Sequence, residues 1–121
     1  MADKLIPIAK FDKKINQYLP YSFDNDFIYQ SKGLVKHIAK RHPECLPYVN
    51  CISSIIAAPD YIGVNPNETD ASFELVKVMA KNVQIGIKLD TKDKYLYVAT
   101  LYTITNGKLQ HGIANGRLKK I

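Results

Sequence analysis

Two imidazoles and a guanidinium fall within six residues of one another in the run HIAKRHP, positions 37–43. Histidine titrates near neutrality and can both take and give a proton there. Arginine supplies a fixed planar cation suited to phosphate. Together these groups match what RNA cleavage without a metal requires: a base for the 2′-hydroxyl proton, an acid for the leaving oxygen, and positive charge for the crowded phosphorane. Deoxyribose lacks that nucleophile, so DNA would not be cut this way. His37 and His42 are the candidates for base or acid, and Arg41 for the cation. A plainer account stands beside this one, because histidine is common near helix C-termini, where the dipole favours it. A second candidate pair is Thr100 and Tyr102 in VATLYTI. Two apart on a strand, they share a face, so their hydroxyls can converge on one phosphate; Thr and Tyr are also simply good strand residues.

Other chemistries find less support. His37, His42, Cys45 and Cys51 could all ligate zinc, but their spacing matches no usual arrangement, so no metal is expected. The sequence has no Gly-rich phosphate loop, nucleophile elbow or HExxH run, and implies no cofactor. The two cysteines read as small hydrophobes. Asn67-Glu68-Thr69 matches a glycosylation acceptor, which means nothing without a secretion signal. Tyr95, Tyr97 and Tyr102 lie on one predicted strand, where they can stack on bases or pack into the core.

The elements that must position these groups follow from hydrophobic period. LIPIAKF, residues 5–11, reads as a short strand or arm interrupted by Pro7, and FIYQ, 27–30, is β-branched and aromatic. Ser31 is placed to cap a helix running from Lys32 to about Arg41. On that helix Leu34, Val35 and Ile38 face one side and Lys32, Lys36 and Lys40 the other, with His37 and Arg41 at the border. Pro43 disfavours helical geometry at His42, so the wheel does not extend to it. Pro47 suits the start of a second helix, carrying Tyr48, Val49, Ile52, Ile55 and Ile56, that Pro59 stops.

The period then changes to two. VQIGIKL, 83–89, alternates with Gln84, Gly86 and Lys88 on a wet face, SFELVKVM, 72–79, is its partner, and YLYVATLYTIT, 95–105, is apolar on both faces as a central strand. Asn106-Gly107 and Asn115-Gly116 are hairpin signals that return the chain through RLKKI. This layout is α+β: helices first, then an antiparallel meander packed on them.

The chain has 121 residues, 46% hydrophobic and 23% charged, with no internal repeat or low-complexity linker, which predicts a single domain over 1–121. At this length one part of a larger protein is the alternative to a free-standing domain. Nothing approaches the ~20 apolar residues of a membrane span, and Asp3 and Lys4 stand where a signal peptide would build its apolar region. A cytoplasmic protein is expected. Lys and Arg total 17 against 11 Asp and Glu, giving +6. Residues 32–42 and 108–121 carry bases and no acid, whereas 44–74 carry Glu44, Asp60, Glu68, Asp70 and Glu74 and no base. If the fold joins the two basic stretches, Lys36, Lys40, Arg117 and Lys119 can hold the phosphates flanking a cleaved bond.

HIAKRHP, followed about one helix later by IIAAPDYIGV (55–64), a period-two stretch and VATLYTI, resembles the phage-type barnase/EndoU/colicin/RelE-like nucleases, the PBECR group. IAKFDKKI and NGRLKKI add to the resemblance, which spans nearly the whole chain. It implies N-terminal helices packed on an antiparallel sheet of about four strands. It implies, further, a toxin or phage-linked endoribonuclease acting without metal, with a histidine on the helix (His37 or His42), the basic Arg41, and the sheet hydroxyls of Thr100 and Tyr102 as its site. RNA is the implied substrate and an acidic immunity or antitoxin protein the implied partner. The alternative is a non-catalytic RNA- or protein-binding module on the same fold.

Overall fold

A computed structural model describes residues 5–30, 33–68 and 71–121. Ser31 as a cap and Lys32 as a first helical residue lie outside the described residues, as does Thr69 of the acceptor triplet.

Two short strands come first, β1 (Ile6–Lys10) and β2 (Phe27–Gln30), with a 3-10 helix over Lys13–Tyr18 between them. Pro7 cannot donate to a ladder and sits in β1, an edge strand whose register slips between Pro7 and Ala9. Helix α1 covers Gly33–Arg41. A 3-10 helix over Pro43–Cys51 runs on into α2 (Ile52–Ala57), so the second helical segment starts at Pro43, with Pro47 inside it, and stops before Pro59. Then come β3 (Tyr61–Gly63), β4 (Ser72–Val78), β5 (Asn82–Leu89) and β6 (Leu96–Ile104), followed by α3 (Asn106–Ala114) and β7 (Leu118–Lys120).

The strands form one seven-stranded sheet in the order β1-β2-β6-β5-β4-β3-β7. The architecture is α+β, but the expected sheet of about four antiparallel strands is too small. Three of the seven strands, β2, β3 and β7, are only three or four residues long, too short to show a period. β2 lies parallel to β6, pairing Ile28 with Leu96 and Tyr29 with Tyr97, so the sheet is mixed. Two strands also precede the first α-helix, correcting the helices-first layout.

Asn106-Gly107 is not a hairpin turn. Thr105 Oγ1 accepts the backbone N–H of Lys108 at 3.1 Å, capping α3, and Asn106 Oδ1 accepts from Asn82 Nδ2 at 2.8 Å. The threonine cap overrides the turn propensity of the pair that follows it. Asn115-Gly116 does turn the chain, with Gly116 at a φ of 81° that favours glycine, but the turn joins α3 to β7 rather than two paired strands.

The two faces of the sheet are covered differently. Phe73, Leu75, Val83, Ile85, Ile87, Leu96, Val98 and Leu101 point to the main core, against Leu34 and Ile38 of α1 and Ile52, Ile55 and Ile56 of α2. Each such side chain, once buried, contributes about 1.5–3 kcal/mol. Val35 is 42% exposed, so α1 docks on a narrower stripe than expected. The opposite face holds a small second core of Val76, Leu109 and Leu118, where α3 packs. Gln84, expected on a wet face, is only 4% exposed, with the Glu74 and Tyr102 side chains that it bonds beside it on this side of β5.

Candidate active site

Strand register assembles polar groups on the α3 side of the sheet. Gln84 on β5 stands opposite both Val76 and Tyr102, and Gly86 opposite both Glu74 and Thr100, so these side chains share one face. Gln84 Nε2 donates to Glu74 Oε2 at 2.8 Å and also to the Tyr102 hydroxyl. Arg117, in the turn before β7, donates through Nη2 to Glu74 Oε1 at 2.7 Å. Its backbone N–H is held by Asn115 Oδ1 at 2.9 Å. The Glu74 side chain is only 12% exposed, so its charge is balanced chiefly by Arg117 and the Gln84 amide. Burial first, and then the Glu74 carboxylate, push the Tyr102 phenol above its ordinary value, although Arg117 and Gln84 pull the other way.

Among the described residues, the second half of β6 has no strand beside it on the β2 side. Of these residues β2 reaches only Leu96 and Tyr97, and α1 and the 3-10 helix after it pack against β6 instead. Pro43 keeps His42 out of helical backbone, at φ −142° and ψ 61°. Its imidazole lies on the Tyr102 ring, with centroids 5.6 Å apart and planes 29° from parallel.

Between this group and α3 lies a cleft of about 420 Å³ lined by Gln84, Tyr102, Lys108, His111, Asn115 and Arg117, with apolar walls from Ile104 and Leu118. Lys108 and His111, three apart on α3, present to the same side. The cleft thus joins two fixed cations, an imidazole, a phenol that stays protonated, and a carboxylate bonded to two of its lining residues. Such a set can bind a phosphate and move protons on either side of it.

A family model described as phage-Barnase-EndoU-ColicinE5/D-RelE like nuclease3 matches residues 7–111. The chain belongs to this nuclease family. No curated protein and no solved structure matches the sequence. Membership makes nucleic acid the substrate class of this phage-type nuclease. The matched span includes HIAKRHP, VATLYTI and His111 but ends before Arg117. Among the described residues no helix is long and apolar enough to cross a membrane.

Of the residues singled out in the nuclease sequence, Tyr102 and Arg117 line the cleft and His42 stacks on Tyr102. Thr100 shares the Tyr102 face, beside Gly86, but is outside the cleft lining. Lys36, His37, Lys40 and Arg41 are exposed on α1, and none lines the cleft. Lys119 pairs with Ile62 on the reverse side of β7 from Leu118. The four groups that sequence reasoning missed are Glu74, Gln84, Lys108 and His111. A glutamine within the apolar alternation VQIGIKL was the available signal, while the hairpin reading of Asn106-Gly107 concealed the helix that carries Lys108 and His111. Cys45 is buried, which raises its thiol pKa, and Cys51 packs against the main core. Among the described residues, no three His, Cys, Asp or Glu side chains converge as a metal site would require.

Proposed function

We propose that this nuclease is an endoribonuclease that cleaves RNA by attack of the 2′-hydroxyl, leaving a 2′,3′-cyclic phosphate, with protein groups making both proton transfers. The observation that carries the reading is that His111, Lys108, Tyr102 and Arg117 surround one cleft, with Glu74 bonded to Arg117. A substrate phosphate competes with Glu74 for Arg117, and the freed carboxylate oxygen takes the 2′-hydroxyl proton. His111 gives a proton to the leaving oxygen. Lys108 and Arg117 hold the charge of the phosphorane, and the Tyr102 hydroxyl orients it. His42, stacked on Tyr102, fixes that ring. Lys36, His37, Lys40 and Arg41 on α1 carry flanking phosphates past the open edge of β6, and Thr100 lies on the path between. An acidic immunity or antitoxin protein of the bacterial host would find its complement in the same cations.

The test is incubation of the purified protein with bacterial RNA, and separately with DNA, in excess EDTA. His111→Ala, His42→Ala and Glu74→Gln variants are run in parallel. Cyclic phosphate ends from the wild type, lost in His111→Ala and Glu74→Gln, are expected. Cleavage that needs a divalent ion, or DNA cut as readily as RNA, overturns the mechanism; RNA bound but left intact moves the reading to a binding module.

A further inference from the structure

The face of the sheet that carries Glu74, Gln84 and Tyr102 continues away from α3 to a cluster of three tyrosines. Tyr97 stands opposite Lys88 on β5 and beside Tyr29 on β2, so both rings share the face of the cleft, while their neighbours Ile28, Leu96 and Val98 point into the core. Tyr95, just before β6, joins them. Its ring is 6.2 Å from Tyr29 at 82°, and 5.8 Å from Tyr97 at 56°. All three are partly exposed. The irregularity between Gly86 and Ile87 pairs Gly86 with Thr100 and Ile87 with Val98. The extra β6 residue keeps Tyr97, Thr100 and Tyr102 on one side despite their uneven spacing.

From Tyr97 to Tyr102 the strand spans about 15 Å. The cluster is therefore outside the cleft but within reach of the same bound strand. Aromatic faces attract any unstacked base, and here Tyr29 meets Tyr95 edge to face while Tyr95 and Tyr97 are tilted to one another. A duplex keeps its bases stacked and cannot use such a surface.

We propose that Tyr29, Tyr95 and Tyr97 form a stacking subsite for a base of a single-stranded nucleic acid, flanking the bond cleaved in the cleft. The subsite deepens the proposed function and rests on it for the direction of the strand, and it makes the substrate single-stranded. Lys88, across from Tyr97 and paired with Glu68 at 3.5 Å, is the cation on this stretch of the path.

The probe is a fluorescein-labelled single-stranded 2′-O-methyl oligonucleotide of roughly 12 nucleotides, which has no free 2′-hydroxyl to attack, with affinity read by anisotropy. Tyr97→Leu should weaken binding about tenfold, and Tyr97→Phe, which keeps the ring, should restore it. Wild-type affinity in Tyr97→Leu, or equal losses in Leu and Phe variants, overturns the subsite. If Tyr97→Leu does not fold, the ring-proton signals of Tyr29, Tyr95 and Tyr97 in the wild-type protein decide it. They should shift on titration with the oligonucleotide, and signals that stay fixed refute stacking. A wild type that binds through this cluster but cleaves nothing would remove the catalytic reading and leave the subsite.

Discussion

Replacing Arg117 with alanine separates a structural ion pair from a phosphate-binding one. In the free protein Arg117 and Glu74 are 2.7 Å apart, with the arginine side chain 37% exposed and the glutamate 12%. Removing one partner of a fully buried pair costs about 3–5 kcal/mol, because the other charge is left uncompensated. Exposed pairs are worth about 0–1 kcal/mol after solvent screening. With the cation more than a third exposed and Gln84 still bonded to the glutamate, the loss should be about 1–2 kcal/mol. For a chain of this length that lowers Tm by roughly 4–8 °C. If Arg117 also neutralises the phosphorane, cleavage in Arg117→Ala should fall by about 10²–10³-fold, the cost of one donor at a developing oxyanion. The loss should appear well below Tm, where the variant is folded. Arg117→Lys should recover most of the stability but only part of the rate, since an ammonium cannot make the two parallel bonds of a guanidinium. The assay is initial-rate cleavage of a short RNA at saturating protein, beside thermal unfolding of each variant. A rate within threefold of wild type in folded Arg117→Ala would show that the arginine serves Glu74 alone, and would refute its part in catalysis.

Other perturbations probe the supports of the site. Thr105→Ala removes the cap of α3 and should cost about 1 kcal/mol in chemical denaturation; because Lys108 and His111 ride on that helix, cleavage should fall while the main core stays intact. At Gly63 an added Cβ would collide with the Arg117 carbonyl oxygen, so Gly63→Ala must push β7 outward. A loss of about 1–3 kcal/mol with reduced cleavage is expected, and an unchanged Tm would contradict the packing. Tyr102 has a raised pKa in the folded state, so its stabilising contribution is full below the unfolded value, about 10, and is lost as pH rises through the folded one. In absorbance titration one tyrosine should therefore ionise later than the unfolded value, and Tyr102→Phe should remove that step and flatten the fall in stability above about pH 10.

The core of this fold was legible because its residues repeat with one period over long stretches. β4, β5 and β6 lie within about a residue of their expected ends, and Leu34 and Ile38 do anchor α1. Short strands were not legible for the opposite reason. Three residues at Tyr61–Gly63 carry no period, and they become a strand only because a neighbouring edge offers unpaired backbone groups, while RLKKI, expected as the return of a hairpin, pairs instead with β3. Gln84 shows the limit most clearly. Alternation correctly turned it away from the main core, but only its bonds to Glu74 and Tyr102 show that its place on this second face is buried.

The candidate site was half legible, and the missing half has a common cause. Tyr102 and Arg117 were identifiable by residue type, and His42 by its place before a proline, but the cleft is assembled by contacts that no local pattern encodes. Glu74 meets Arg117, in the turn before β7, across 43 positions, and Gln84 meets Tyr102 across 18 through strand register. His37 and Arg41, at the border between the apolar and basic faces of α1, are both exposed and outside the cleft. Chemistry at a phosphate needs proton donors and cations on several sides of one point. One turn of helix offers only one side. The cleft obtains the others from the sheet face, α3 and the turn before β7, so displacing any one of these supports should reduce cleavage even when every reacting group is still present.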